Sequence, residues 1–285
     1  MKTIAFYGAG LLGSNFVRAF RRRDYAVRLW NRTAARAQPL AEIGVHIAAT
    51  PEEAALGADH IHLCLSDDRA VEAVLERILS TLDPATPICD HTTCLPQRVA
   101  ARTAELRAKG FHYLHAPVFM GPPNALEGTG SMLVSGDRAE VARVREHLAA
   151  MTGTIRDLGE RTEAAAIYKL LGNAMILAVI GGIADVLQIG AAQGLTGPES
   201  FKIFDFYDPK GQIEGRGRRM AAGDEEATWS VEMALKDARL MQGAAYERAL
   251  PVIDAVAAQL AELAATGAAK ADLAALGRSA VRSVR

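Results

Sequence analysis

Little in this chain is extreme, and each shortage excludes a class of protein. Cysteines number three in 285 residues, at 64, 89 and 94, too few and odd for a disulfide scaffold. A reducing compartment is expected, and the localisation expected is cytoplasmic. Charge of one sign is absent: Lys plus Arg (32) against Asp plus Glu (33) leave a net charge of -1. No global field therefore draws the chain to nucleic acid or to an anionic bilayer. Any polyanion must be met by a local site. Long hydrophobic runs are missing too: the longest nearly apolar stretch, 175–184, is followed by Asp185, whereas a membrane span needs about 20 residues. The opening MKTIAFYGAG holds a short apolar run, not a signal-peptide core. No membrane partner is expected.

What is present is a length for about two domains, taking about 150 residues for each, and a 50% hydrophobic composition able to build two cores. The division is expected near Gly159, giving domains 1–159 and 160–285. In the first, apolar runs alternate with helical periodicity: strands near 3–7, 25–30, 46–48, 61–65, 87–90, 111–115, 131–135 and 154–158, helices near 11–20, 33–42, 69–80, 96–109 and 139–151, and one more opened by Thr50-Pro51-Glu52-Glu53. This alternation predicts a Rossmann-type α/β fold, a doubly wound parallel sheet covered on both faces. After Gly159 strand signals cease. The remainder reads as an all-helical domain with loops near 194–198, 208–217 and 223–227.

The first strand closes on Gly8-Ala9-Gly10-Leu11-Leu12-Gly13 and a helix begins there. A GxGxxG alone is weak, but inside a complete βαβ unit it predicts a dinucleotide site. Gly8 permits the tight turn, Gly10 admits a pyrophosphate, and Gly13 brings helix onto strand. The helix N-terminus offers free N–H groups to the phosphates. An NAD site usually has an acidic residue at the end of the second strand for the ribose hydroxyls. Here the chain reads Asn31-Arg32-Thr33, with Arg36 one turn on. That favours the 2′-phosphate of NADP, with Arg32 as charge partner and Asn31 and Thr33 as hydrogen-bond donors; NAD stays possible.

The long helix at 161–193 carries one conspicuous pair. Between Ala164 and Ala184 the only strongly polar side chains are Lys169 and Asn173, four apart and on one face of a helix otherwise predicted to be buried all round. A desolvated lysine has a lowered pKa and exchanges a proton near neutrality. Gly172, Gly181 and Gly182 suggest close packing on another helix or subunit, so a homodimer or homotetramer is expected. His60, His62 and Cys64 alternate along one strand, and Cys89, His91 and Cys94 crowd another, but no second C-x2-4-C pair supports a metal site, and none is expected. The basic run Arg216-Gly217-Arg218-Arg219 lacks interleaved aromatics and predicts no nucleic-acid partner.

These residues together resemble the β-hydroxyacid dehydrogenase family over nearly the whole chain. Gly8 to Gly13 is similar to its GxGxMG element, with Leu12 for Met; Asp90-His91-Thr92-Thr93-Cys94-Leu95-Pro96 to D-x-S-T-x-x-P; His115 to Gly121 to D-A-P-V-S-G-G; Lys169 to Asn173 to K-x-x-x-N; and Trp229 to Asp237 to F-x-L-x-L-x-x-K-D. The resemblance implies an oxidoreductase that moves hydride between nicotinamide and a carbonyl or hydroxyl carbon of a small-molecule substrate. Lys169 is then the proton donor and Asn173 orients the substrate oxygen. Thr93 and Lys236 reach the nicotinamide, Leu65 and Ser66 pass over the cofactor, and Phe119, Met120 and Gly121 shape the substrate pocket. Phe119 and Met120 depart from the family's Ser-Gly, and His115 from its Asp. An apolar pocket follows, and imine reduction, or a cofactor-binding module without catalysis, stay open as alternatives.

Overall fold

The computed structural model describes residues 2–282, and the chain divides into two compact units, 1–173 and 174–285. The first opens with β1 (Thr3–Tyr7), α1 (Leu11–Arg22), β2 (Ala26–Trp30), α2 (Ala34–Ala37), β3 (His46–Ile47), α3 (Pro51–Ala55), β4 (His60–Leu63), α4 (Asp68–Ile78), β5 (Ile88–Asp90), α5 (Pro96–Ala108) and β6 (Tyr113–His115). Their six strands form one parallel sheet in the order β3-β2-β1-β4-β5-β6. The chain moves one way from β1 to β2 and β3, then returns to the other side through β4. That reversal opens a crevice at the carboxyl ends of β1 and β4, where such sheets bind ligands.

Strand periodicity explains why both faces are covered. Ile4 and Phe6 enter a core with Phe16, Val17 and Phe20 of α1, while Ala5 and Tyr7 enter another with Val71, Val74 and Ile78 of α4. Pro39 follows the first turn of α2, and the helix predicted at 33–42 tightens there into a 3-10 segment at Gln38–Ile43.

A second, three-stranded sheet follows, where a continuation of the first was expected. It consists of β7 (Val118–Phe119), β8 (Ser131–Val134) and β9 (Thr154–Asp157), with β7 antiparallel to β8 and β8 parallel to β9. Helix α6 (Pro122–Glu127) connects β7 to β8, and α7 (Arg138–Ala149) connects β8 to β9.

Four histidines fill the sheet interior. The carbonyl of Ala116 only accepts, so His91 donates through Nδ1 (2.8 Å) and receives a hydrogen bond at Nε2 from His62 Nδ1 (2.9 Å); His62 Nε2 in turn accepts from His147 Nε2 (2.8 Å). His60 stacks on His147 with ring centroids 3.9 Å apart.

The last helices are α8 (Ala164–Ala192), α9 (Gly197–Phe201), α10 (Lys210–Ala222), α11 (Val231–Ala244), α12 (Pro251–Leu263) and α13 (Arg278–Arg282). The loop expected at 208–217 is helical from Lys210, despite Gly211, Gly215 and Gly217. Two of its arginines are held inside the C-terminal unit, where Arg216 and Arg219 pair with buried Asp272, which also accepts from the N–H groups of Thr228, Trp229 and Ala274. The helix expected to be buried all round is instead largely open: Leu171, Ile176, Leu177 and Ile180 are all more than half exposed. Helix α8 is long and apolar enough, by length and composition, to cross a membrane.

Candidate functional site

The three glycines of the first turn have different reasons. Gly8 has φ +111°, and a Cβ there would lie 2.2 Å from the carbonyl oxygen of Cys64. At Gly13 a Cβ would lie 2.2 Å from the carbonyl oxygen of Gly8, so α1 presses on the turn. At Gly10 a Cβ would meet nothing within 4 Å. Nothing in the chain requires glycine there; the space beyond does. Gly10 is also the N-cap of α1 and supplies no capping side chain, so first-turn N–H groups of α1 face that space. An open cradle at a helix N-terminus fits the pyrophosphate of a nicotinamide dinucleotide.

The cradle belongs to a cleft of about 470 Å³ in the N-terminal unit. It brings together Gly8, Gly10, Asn31, Arg32, Thr33, Leu65 and Ser66, all singled out in the sequence, and Arg36 with them. Leu12 packs on the core behind the turn, and Leu11 lies exposed beside it. Asn31 is already engaged: its Oδ1 accepts from the Ala9 N–H (2.9 Å) and its Nδ2 donates to the Thr33 carbonyl (2.8 Å). It locks the end of β2 to the glycine turn. Among the described residues no ion pair engages Arg32 or Arg36. The carboxyl of Asp67 is held below the usual range, first by the Ala70 N–H and the Ser66 hydroxyl and to a lesser degree by Arg32.

The sequence reading missed the opposite wall. Ala70, Ala73, Val74 and Arg77 of α4 line the cleft, with Trp30 and Cys64. Their spacing on one helix face was a signal, but small apolar residues read equally well as packing. Arg77 is held by Glu52 at 2.7 and 2.9 Å.

The loops after β4 and β5 are tied together. Leu65 N–H donates to Thr92 Oγ1 (3.0 Å), Thr92 N–H to Asp90 Oδ1 (2.9 Å), and buried Tyr113 donates to Asp90 Oδ2 (2.7 Å). His115 Nε2 donates to the Thr92 carbonyl (2.8 Å), which gives the residue standing for the family's Asp a structural partner. Thr93, next in this braced loop, is exposed.

Lys169 and Phe119 meet. Lys169 Nζ lies 4.4 Å from the centroid of the Phe119 ring. Burial lowers the lysine pKa. The ring also rests on α8: a Cβ at Gly172 would lie 2.3 Å from its Cζ. Asn173 follows Lys169 by four residues on the same helix. Met120 leans into the core rather than standing free, and the Gly121 N–H donates to Asn124 Oδ1 (2.9 Å). Lys236 lies on α11 in the C-terminal unit, its Nζ 2.9 Å from Asp237.

Comparison with known proteins finds counterparts for the chain. Residues 3–159 match the NAD binding domain of 6-phosphogluconate dehydrogenase. The 3-sulfolactaldehyde reductase of Escherichia coli is 26% identical over 83% of this chain and 81% of its own length. An NADPH-dependent reductive aminase of Aspergillus oryzae is 29% identical over 59% of this chain and 57% of its own. Among solved structures, an imine reductase from Myxococcus stipitatus in complex with NADP+ superposes with a TM-score of 0.88 at 23% identity, covering 98% of this chain and 99% of that one. The likeness in fold thus extends through the helical unit.

Proposed function

The chain belongs to the β-hydroxyacid dehydrogenase family, NAD(P)-dependent oxidoreductases built on the NAD-binding domain of 6-phosphogluconate dehydrogenase, and we propose that it uses NADPH to reduce a carbonyl group of a small or moderately apolar substrate. The bound nicotinamide supplies the hydride; the rest is done by side chains. The turn at Gly8, Gly10 and Gly13 receives the pyrophosphate. Arg32 and Arg36, both lining the cleft and in no ion pair among the described residues, support the choice of a 2′-phosphorylated cofactor.

The observation that carries carbonyl chemistry is Lys169: half-buried, with a lowered pKa, and four residues before Asn173 on α8. Its ammonium gives a proton to the oxygen that becomes negative as hydride arrives, and Asn173 orients that oxygen through its amide. In the reverse direction the neutral amine takes the proton back. Lys169→Ala should lower kcat for aldehyde reduction by about 10²-fold or more, measured as loss of NADPH absorbance, with NADPH affinity unchanged. A rate within a few-fold of the parent would remove Lys169 from this role.

Imine reduction is the second reading. It is favoured by the apolar Phe119 in the substrate segment and by the reductive aminase from Aspergillus oryzae among the relatives. Adding a primary amine to the aldehyde assay separates the two: an amine product made faster than the alcohol assigns the chain to C=N chemistry.

A further inference from the structure

We propose that Phe119 sets the substrate class, closing the space beside Lys169 to carboxylates and admitting substrates with an apolar flank next to the reducible group. The inference rests on the reading of Lys169 as proton donor. Its basis is the set of groups around the lysine. An anion in a partly buried site needs converging N–H or O–H donors or an unengaged cation. The segment Val118 to Gly121 carries no hydroxyl, amide or charged side chain. Its Gly121 N–H is committed to Asn124 Oδ1, and Asn124 Nδ2 is committed to Thr129 Oγ1 (2.9 Å).

The remaining cation is seated on the ring, with Nζ 4.4 Å from its centroid. An aromatic face is the negative part of the ring quadrupole; it attracts an ammonium and repels a carboxylate. A substrate carboxylate entering here would have to pull the ammonium away from the ring, set its oxygens against the Phe119 carbons, and compete with the reducible group for the Asn173 amide. An apolar substituent meets the ring at no such penalty. Nor is the ring there by accident of a loose loop. Gly172 makes room for it on α8, and Gly130, at φ +81° with a Cβ position 2.9 Å from Met120 Cγ, holds the β7 segment from behind.

The test uses two aldehydes of equal reach, succinic semialdehyde and its methyl ester, with NADPH and the full-length protein. The parent enzyme should favour the ester in kcat/KM by tenfold or more, and Phe119→Ser should shrink that ratio at least tenfold while Phe119→Trp keeps it. Equal use of the two by the parent, or an unchanged ratio in an active Phe119→Ser variant, overturns the proposal. Should Phe119→Ser melt far below the parent, Gly172→Ala displaces the same ring from α8 and is expected to shrink the ratio likewise. Where turnover is undetectable, Kd values of the two compounds for the NADP+ complex, from calorimetry, are held to the same ratios. Lys169→Ala tests the other premise separately: a retained rate removes the proton donor and leaves the ester-to-acid ratio to judge Phe119.

Discussion

At Gly10 an added methyl group would touch nothing within 4 Å, whereas at Gly8 and Gly13 it would run into backbone at 2.2 Å. This separates glycines the fold needs from the one the ligand needs. Gly10→Ala should therefore melt close to the parent yet bind NADPH at least tenfold more weakly, because the methyl stands where the pyrophosphate approaches. Gly8→Ala forces a side chain into φ +111° against Cys64 and should destabilise by about 1–3 kcal/mol. Thermal melts beside cofactor titrations distinguish the two, and equal loss of stability in both variants would contradict the assignment. The same contrast shows why the turn was legible in the sequence: backbone positions with special demands admit few residue types. The environment of Lys169 was legible only in part. That an aromatic ring would sit on the lysine depends on a contact between positions 119 and 169, which no local pattern encodes.

At the scale of elements, long periodic segments were readable and short ones were not. The two residues of β7 are too few to show alternation, so the second sheet went unseen although β8 and β9 were placed. Three glycines hid the helicity of α10, which tertiary contacts with Asp272 enforce. Helix α8 posed another difficulty: a segment apolar on every side has no period to say which side is covered. Leu177 is 73% exposed and Ile180 58% exposed, on a face with no charge to recruit an acidic or basic partner. A face of this kind is expected to be covered by a second copy of the chain. Sedimentation at micromolar concentration should then show a species larger than the 30.4 kDa chain, lost in Leu177→Glu. A parent protein sedimenting only as the single chain would refute the expectation.

For the molecule as a whole, the histidine chain makes stability depend on pH in a window few other groups share. His62, His91 and His147 are linked ring to ring and end on the Ala116 carbonyl, so each is required neutral, with one nitrogen donating and the other accepting. Burial lowers the pKa of all three, that of His147 to about 3, and lowers those of His60 and His115 as well. In the unfolded chain each returns to about 6.5. Below that value the unfolded state binds more protons than the folded one, so stability is full above about pH 6.5 and falls as pH drops toward the folded values. Each histidine held neutral adds about 1.4 kcal/mol of loss per pH unit once pH is well below 6.5. Carboxylates such as Asp67, Asp137 and Asp157, whose pKa values are lowered in the folded protein, begin to contribute only at more acid pH. Urea unfolding between about pH 7.5 and 5 should therefore show a falling midpoint, with a slope corresponding to at least one proton taken up on unfolding. His62→Phe removes the central link and so leaves His147 without its acceptor and His91 without its donor. It should lower stability at pH 7.5 and flatten the dependence on pH. A midpoint that stays constant from pH 7.5 to 5 in the parent protein would show that the buried rings do not carry this linkage.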